Sequence, residues 1–240
     1  MDRATLKSFY YGHLQASPTK GPWPETTAER HIEVGHMRMF EHVAHHRGEG
    51  FFRTTDLVNE VAAASAYNLP TQTYRVESLE RLAGGPSTSL LPYFLQHIDY
   101  KSELLGHLRP NNLSLVIGNF AEQYYQNGQK TFTLVNASTG TVTNAFRVTY
   151  IYRPAPMTLD THVPFQKTAG TGGAGLDNIE DYHDLIAWYA LEIALQQEES
   201  AIHRAAVKYR REREAELDHF LHDTNTQEPR TVNFTDNVAY

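Results

Sequence analysis

Cysteine is absent from the 240 residues, so neither a disulfide framework nor a thiolate metal site is available. That absence suits assembly in a reducing cytoplasm. No run approaches the roughly 18 consecutive apolar residues of a membrane span, and Met1-Asp-Arg-Ala-Thr-Leu6 carries no apolar signal core, so no membrane partner is expected. A cationic surplus is missing as well: 21 Lys and Arg stand against 28 Asp and Glu, a formal charge of −7. This excludes a tight grip on nucleic acid phosphates but not a surface past which nucleic acid slides. There is no Gly-x-Ser-x-Gly elbow, and with cysteine also gone two classes of catalytic nucleophile drop out. What remains is an ordinary globular composition, 40% hydrophobic and 20% charged, with 14 Tyr and 11 Phe as a generous aromatic supply. The length suffices for a good core in one or two domains.

The organising stretch runs from Phe146 to Leu221. Phe146, Val148, Tyr150 and Tyr152 share one face of a strand by the period of two. Arg153-Pro154-Ala155-Pro156 ends that strand, because proline cannot donate to a ladder. A Gly- and Pro-rich loop follows, and a helical region then starts near Asp177. Leu185, Trp188, Tyr189 and Ile193 form its first apolar stripe, flanked by Ile186 and Leu191. Ile202, Ala206, Tyr209, Leu217 and Phe220 continue at helical spacing. Glu198-Glu199-Ser200 either divides the region into two helices or lies within one.

Upstream, the spacing predicts a short helix over 3–16 with Leu6, Phe9, Tyr10 and Leu14 inward. A second helix is predicted from Glu25 to His46, with Ala28, Ile32, Met39, Phe40 and Val43 as its stripe. Residues 51–58 read as a strand, followed by a turn at Ala62–Ser65 and a hairpin held by Leu57, Tyr67 and Leu69. Tyr74–Leu79 alternates as a further strand, and Gly84–Ser87 reads as a loop. Residues 89–108 give a mixed signal read as one or two helical turns around Pro92. Leu113–Ile117 alternates again. Gln123–Gln126 and Gln129–Val135 flank Asn127-Gly128, the dipeptide that suits a type I′ turn. With the strand beyond Gly140, residues 112–152 read as an antiparallel meander. The fold class is therefore α+β: a helical bundle of N-terminal helices and a long C-terminal helical pair, an antiparallel β meander or sandwich, and an extended tail. The expected division is N-terminal helices at 1–50, a β module at 51–156, the Gly/Pro-rich loop at 157–176, C-terminal helices at 177–222 packing on the N-terminal ones, and the tail at 223–240.

Several chemical motifs fail on context. Gly170-Thr-Gly172-Gly-Ala-Gly175 has the letters of a dinucleotide fingerprint but no strand ending before it and no helix starting within it. It reads as a flexible loop, and no cofactor is expected. His42 and His46, with His45 between them, sit at the i, i+4 spacing that can clamp a metal, and His31 and His36 lie earlier on the same helix. His-Glu-x-x-His is absent and no nearby carboxylate has the spacing of a general base. With 13 histidines in the chain, the group reads as a solvated or interfacial helix face, with no metal site. Asp177, Glu180, Asp181, His183 and Asp184 fall at a helix start, where acids suit the dipole alone. No catalytic residues emerge. The run Lys208–Glu216 alternates in sign, so Glu212, Glu214 and Glu216 cancel most of the field of Arg210, Arg211 and Arg213. In the tail, Val232, Phe234, Val238 and Tyr240 fall on one face of an extended segment that suits strand addition to another subunit; a frayed terminus is the competing reading.

In their order, these segments resemble the head–tail connector (adaptor) proteins of tailed bacteriophages. The resemblance covers roughly residues 30–220. It rests on helix 25–46 leading into Phe51-Phe-Arg-Thr-Thr55, then Tyr67-Asn-Leu-Pro70, Arg75-Val-Glu-Ser-Leu79, Val148-Thr-Tyr-Ile-Tyr-Arg-Pro-Ala-Pro-Met-Thr-Leu-Asp160, and Glu180-Asp-Tyr-His-Asp-Leu-Ile-Ala-Trp-Tyr-Ala190. It implies a structural protein of the virion neck, assembled in the host cytoplasm, whose copies form a ring, twelvefold like the portal it docks on. Such a ring extends the DNA channel, passes double-stranded DNA without binding it specifically, and gives a downstream neck or tail protein its attachment surface. Two sets of contact residues are expected on this reading. Thr231, Val232, Phe234, Val238 and Tyr240 would touch the portal or a neighbouring subunit, and Arg210, Arg211, Glu212, Arg213, Glu214 and Glu216 would form a helix face shared between subunits. The alternatives are a tail-tube or tail-terminator ring protein of the same virion, a metal-dependent enzyme built on the His31–His46 helix, and a soluble interaction domain with no viral context.

Overall fold

The computed structural model describes residues 1–15, 19, 23–46, 48–82, 93–97, 123–127, 130–134, 140–168, 177–196 and 201–227. The fold is α+β, with four helices and eight strands among the described residues. It divides into two compact units, Met1–Phe51 with Pro154–Tyr240, and Phe52–Arg153.

The helical unit holds α1 (Arg3–Leu14), α2 (Glu25–His45), α3 (Asp184–Leu195) and α4 (Ala201–Gln227). Asp2 caps α1 by accepting from the Thr5 amide and hydroxyl at 2.8 and 2.6 Å, which satisfies one of the orphan donors of the first turn. The expected α2 stripe is buried throughout, and the structure adds Gly35, His36 and Ala44 to it. Phe9 is only half-buried; its ring meets the edge of Trp188 at 5.2 Å.

α3 differs from its predicted single stripe. Leu185, Ile186, Ala187, Trp188, Tyr189, Ala190, Leu191 and Leu195 are all buried, whereas Ile193 is only half-buried. A helix buried over most of its circumference belongs in the middle of its unit, and α1, α2 and α4 all pack on it. A 3-10 segment, Asp177–Tyr182, leads into it. Only Ala206 and Leu217 of the predicted α4 stripe are buried, joined by Leu221; Ile202 and Tyr209 are exposed. α4 also runs to Gln227, past the expected helix end at 222, so residues 223–227 are helical and not extended tail.

In the other unit, β1 (Arg53–Glu60), β8 (Val142–Tyr152), β3 (Thr73–Arg81) and β4 (Tyr93–Phe94) form one sheet in that order. β2 (Ala66–Asn68), β7 (Thr131–Leu134), β6 (Gln123–Asn127) and β5 (Gln96–His97) form a second. Two expectations are corrected here. β1 and β2 do not make a hairpin: the chain leaves one sheet for the other through Ala63, which adopts φ 62, and Leu57 is exposed while Tyr67 and Leu69 are buried. Residues 112–152 are not one meander either, because β8 pairs antiparallel with β1 and β3 and β7 pairs with β2 and β6. β8 is an inner strand, between β1 and β3, and Ala145, Phe146, Tyr150 and Ile151 are buried from both of its faces.

The β6–β7 hairpin exists as predicted, in another register. Asn127 lies opposite Thr131, so the connection takes three residues where a type I′ turn takes two. Residues 93–97, expected near helical turns, are extended; β5 pairs with β6 in parallel. The Leu113–Ile117, Gly84–Ser87 and Gly170–Gly175 segments lie outside the described residues.

Tyr67 and Phe132 stack at 5.3 Å, and Phe146 meets Phe132 edge-on at 5.7 Å. Above Phe146 lies the Arg81 guanidinium, 4.5 Å from the ring centroid. Arg81 donates to Glu60 at 2.8 Å in a fully buried pair. Removing one partner of such a pair costs about 3–5 kcal/mol, because the other is left charged in the core.

Two predictions follow from the helical core. A Cβ on Gly35 would lie 2.4 Å from the Ile186 carbonyl oxygen and 3.2 Å from the Ala190 nitrogen. Gly→Ala inside an open helix gains about 1 kcal/mol, but here Gly35→Ala should destabilise by about 1–3 kcal/mol. A lower urea midpoint at unchanged m-value is the expected reading. The second concerns His183, whose ring burial above all, with the nearby N-terminal ammonium and His36, pushes down to about 3. Below the ordinary histidine value of about 6.5 the unfolded chain takes up a proton that the folded chain refuses. Stability is therefore complete above about pH 6.5 and falls as pH drops toward 3, with a slope of up to about 1.4 kcal/mol per pH unit from this group. His183→Gln should flatten the melting temperature between pH 6.5 and 4.5, read by thermal denaturation.

Candidate interaction surface on the closing helices

α3 and α4 lie antiparallel, as their contacts show: Asp184 at the start of α3 meets Arg213, and Glu192 near its end meets Arg210. Arg213 donates to both Asp184 oxygens, from Nη2 at 2.8 Å and Nε at 3.1 Å, and to the Asp181 carbonyl at 2.7 Å. Its guanidinium also lies 5.1 Å from the centre of the Tyr182 ring. Arg210 pairs with Glu192 and Glu214, and the Tyr189 hydroxyl donates to Glu214. Burial, and then the Glu214 carboxylate, hold the Tyr189 phenol well above its ordinary value. These groups are only partly exposed, so the pairs are screened less than surface ion pairs.

The six residues expected to form one face therefore point two ways. Arg210, Arg213 and Glu214 turn toward α3, while Arg211, Glu212 and Glu216 are exposed. Exposed Lys208 makes an i,i+4 pair with Glu212 at 3.7 Å. The outer face also carries Ile202 at 45% and Tyr209 at 49% exposure, seven residues and so two turns apart. Tyr209 stacks on Trp188 at 5.2 Å. Thr231, Val232, Phe234, Val238 and Tyr240 lie outside the described residues. The sequence showed the charged run but not its partners Asp181, Asp184, Tyr189 and Glu192, since a pairing between two helices leaves no periodic mark on either.

A second charged set, not anticipated from the sequence, ties α1 to α2 and to the segment after Pro156. Buried Arg3 pairs with Glu29 at 2.8 Å and donates to the Thr158 carbonyl. Lys7 pairs with Glu25 at 2.6 Å and Asp160 at 2.7 Å. Burial alone would depress the Lys7 ammonium; its bonds to Asp160 and Glu25 outweigh that and raise it.

The α2 histidines do not converge as a group. His31 is 2.9 Å from the Tyr10 hydroxyl, and His36 is buried and accepts the Phe165 amide at 3.0 Å. His45 is exposed. His42 and His46 stack, with ring centroids 4.2 Å apart. Of the acidic group at the head of α3, Asp184 serves Arg213 and His183 is buried, so no acid–base pair is assembled there. What α4 presents to the outside is a charged and aromatic helix face.

Arg213 is the hub of the seam. Arg213→Ala should cost about 1–3 kcal/mol, since Asp184 keeps its partial burial without a partner. Amide exchange in α4 should accelerate more than in α2, measured by hydrogen–deuterium exchange with mass spectrometry.

A family model described as SU10 adaptor protein matches residues 13–234. No curated protein matches the sequence. The matched span takes in almost the whole chain and both compact units, and the chain belongs to the SU10 adaptor protein family. It is thus a structural adaptor of a phage virion, working against other head or tail proteins, and the family is not one of enzymes. No described helix is long and apolar enough to cross a membrane.

Proposed function

We propose that this SU10-family adaptor is a head–tail connector whose copies form a ring beneath the portal, twelvefold to match it. The ring extends the DNA channel through the virion neck and gives a downstream neck or tail protein its attachment surface. The observation that carries this reading is the family match across residues 13–234. The charge pattern supports it. The net charge is −7, and Arg210 and Arg213 are each paired with carboxylates of the same chain, so they offer little field to a passing polyanion. A tail-tube or tail-terminator protein, mainly β with one helix, fits the four helices among the described residues less well.

In this proposal Arg211, Glu212 and Glu216, exposed on α4, meet a neighbouring copy, and Thr231, Val232, Phe234, Val238 and Tyr240 add a strand to the portal or to that neighbour. Assembly takes place in the host cytoplasm, and the ring passes double-stranded DNA during genome ejection.

Native mass spectrometry of the chain alone and with portal rings tests the assembly. The expected result is a portal-bound complex with twelve copies; no binding, or another copy number, overturns the ring. Deleting residues 231–240 should abolish docking on portal-filled heads while leaving helix content unchanged. Normal tail joining by the truncated protein would remove the tail segment from the reading.

A further inference from the structure

The last turn of α2 and the outer part of α4 bring together three groups that no step of the adaptor reading uses. His42 Nε2 lies 2.8 Å from Asp218 Oδ1, a contact spanning 176 residues of sequence. His46, one turn after His42, adds its ring, and one ligand atom from each of the three residues falls within 4.8 Å of the other two. The i, i+4 histidines alone are a weak signal in a chain with 13 histidines. The carboxylate that the local sequence lacks is supplied by the other helix.

We propose that His42, His46 and Asp218 bind a divalent transition-metal ion, with Zn²⁺ the best match, as a three-ligand site completed by water. Three features argue for it. First, His46 Nδ1 lies 2.9 Å from the His42 carbonyl oxygen. The Nδ1–H donates there, which leaves the lone pair on Nε2; ligating histidines are held in this way, by a bond from the other ring nitrogen. The same carbonyl accepts the His46 backbone amide at 3.0 Å, so the ring is attached to a fixed turn. Second, one spacing is already near what the ion sets. Bonds of about 2.0–2.1 Å to tetrahedral Zn²⁺ set ligand atoms about 3.3 Å apart; His42 and Asp218 open by about 0.5 Å, and the His46 ligand atom, within 4.8 Å of both, turns out of its stack on His42 to close on the ion. Third, the site sits at the C-terminal end of a helix of 21 residues, where the unsatisfied carbonyls favour a cation. Two imidazoles and one carboxylate form the donor set that first-row divalent ions of borderline softness prefer. The ion would fasten α4 to α2. It rests on nothing in the adaptor reading, and either can fail without the other.

The test uses the full chain and Zn²⁺ itself. Isothermal titration should show one equivalent bound at micromolar strength, and excess Zn²⁺ should raise the melting temperature by several degrees. Co²⁺ in its place should give the visible ligand-field bands of a tetrahedral site. His46→Gln and Asp218→Asn should each weaken binding by about tenfold or more and remove both the thermal shift and the bands. His46 is exposed, so its variant is expected to keep the wild-type circular dichroism without metal. The control is His219→Gln with His222→Gln, a second exposed histidine pair beside Asp223 on α4. Binding that survives His46→Gln and Asp218→Asn, binding that disappears in the control, or no binding at millimolar Zn²⁺ overturns the proposal and leaves His42–Asp218 as an ion pair only.

Discussion

A helix with most of its circumference buried must be covered by several neighbours, and α3 imposes that condition on the helical unit. Its twelve residues include eight that are buried. Each neighbour meets it by a different physical means. α2 comes close enough that Gly35 faces the Ile186 carbonyl with no room for a methyl group. α1 brings Phe9 and His13 against Trp188, at 5.2 and 4.7 Å between ring centres. α4 comes with charge: Arg210, Arg213 and Glu214 lie over the α3 side that carries Asp184, Tyr189 and Glu192. The order α1, α2, then a return through α3 and α4 after the β unit follows from this, since α3 needs partners from both ends of the chain.

Much of that was legible in the sequence. The α2 stripe follows from period, because one face of that helix is turned to the core, and alternation marks the strand ending at Tyr152. The single stripe expected of α3 differs for a physical reason: with eight of its twelve residues buried, little polar face is left to set a period. The α4 stripe failed in the opposite way. Its inward positions are Arg210, Arg213, Glu214 and Leu217, and a charged residue facing a charged partner looks in sequence like one facing water. In the β unit the strands were recognised but not their sheets. Short strands such as Ala66–Asn68 pair with segments more than sixty residues away, and neither alternation nor a turn residue records which.

The same limit applies to the candidate sites. His42 and His46 are visible as a pair, but with His-Glu-x-x-His absent and 13 histidines in the chain the pair reads as a solvated or interfacial helix face. Asp218 stands on another helix, so only the fold could supply it. The charged run 208–216 was likewise visible as a mixed face, yet its residues divide between an inward seam and an outward surface. Within such a run, helical phase relative to the neighbouring helix decides which arginine is structural and which is available for a partner. That phase is a tertiary property.

The polar character of the α3–α4 seam has a consequence that an apolar seam would not. Apolar contacts between two helices hold their distance and fix their axial register less sharply than paired charges do. Arg213 reaches Asp184 and Arg210 reaches Glu192, and a slide of one turn, about 5.4 Å, breaks both pairs at once. Partly buried carboxylates left without cations make that slipped state costly. Charge at the seam therefore sets register more than it adds stability, the role for which buried polar groups are best attested. Internal pairing of Arg210 and Arg213 also withdraws those two charges from the surface.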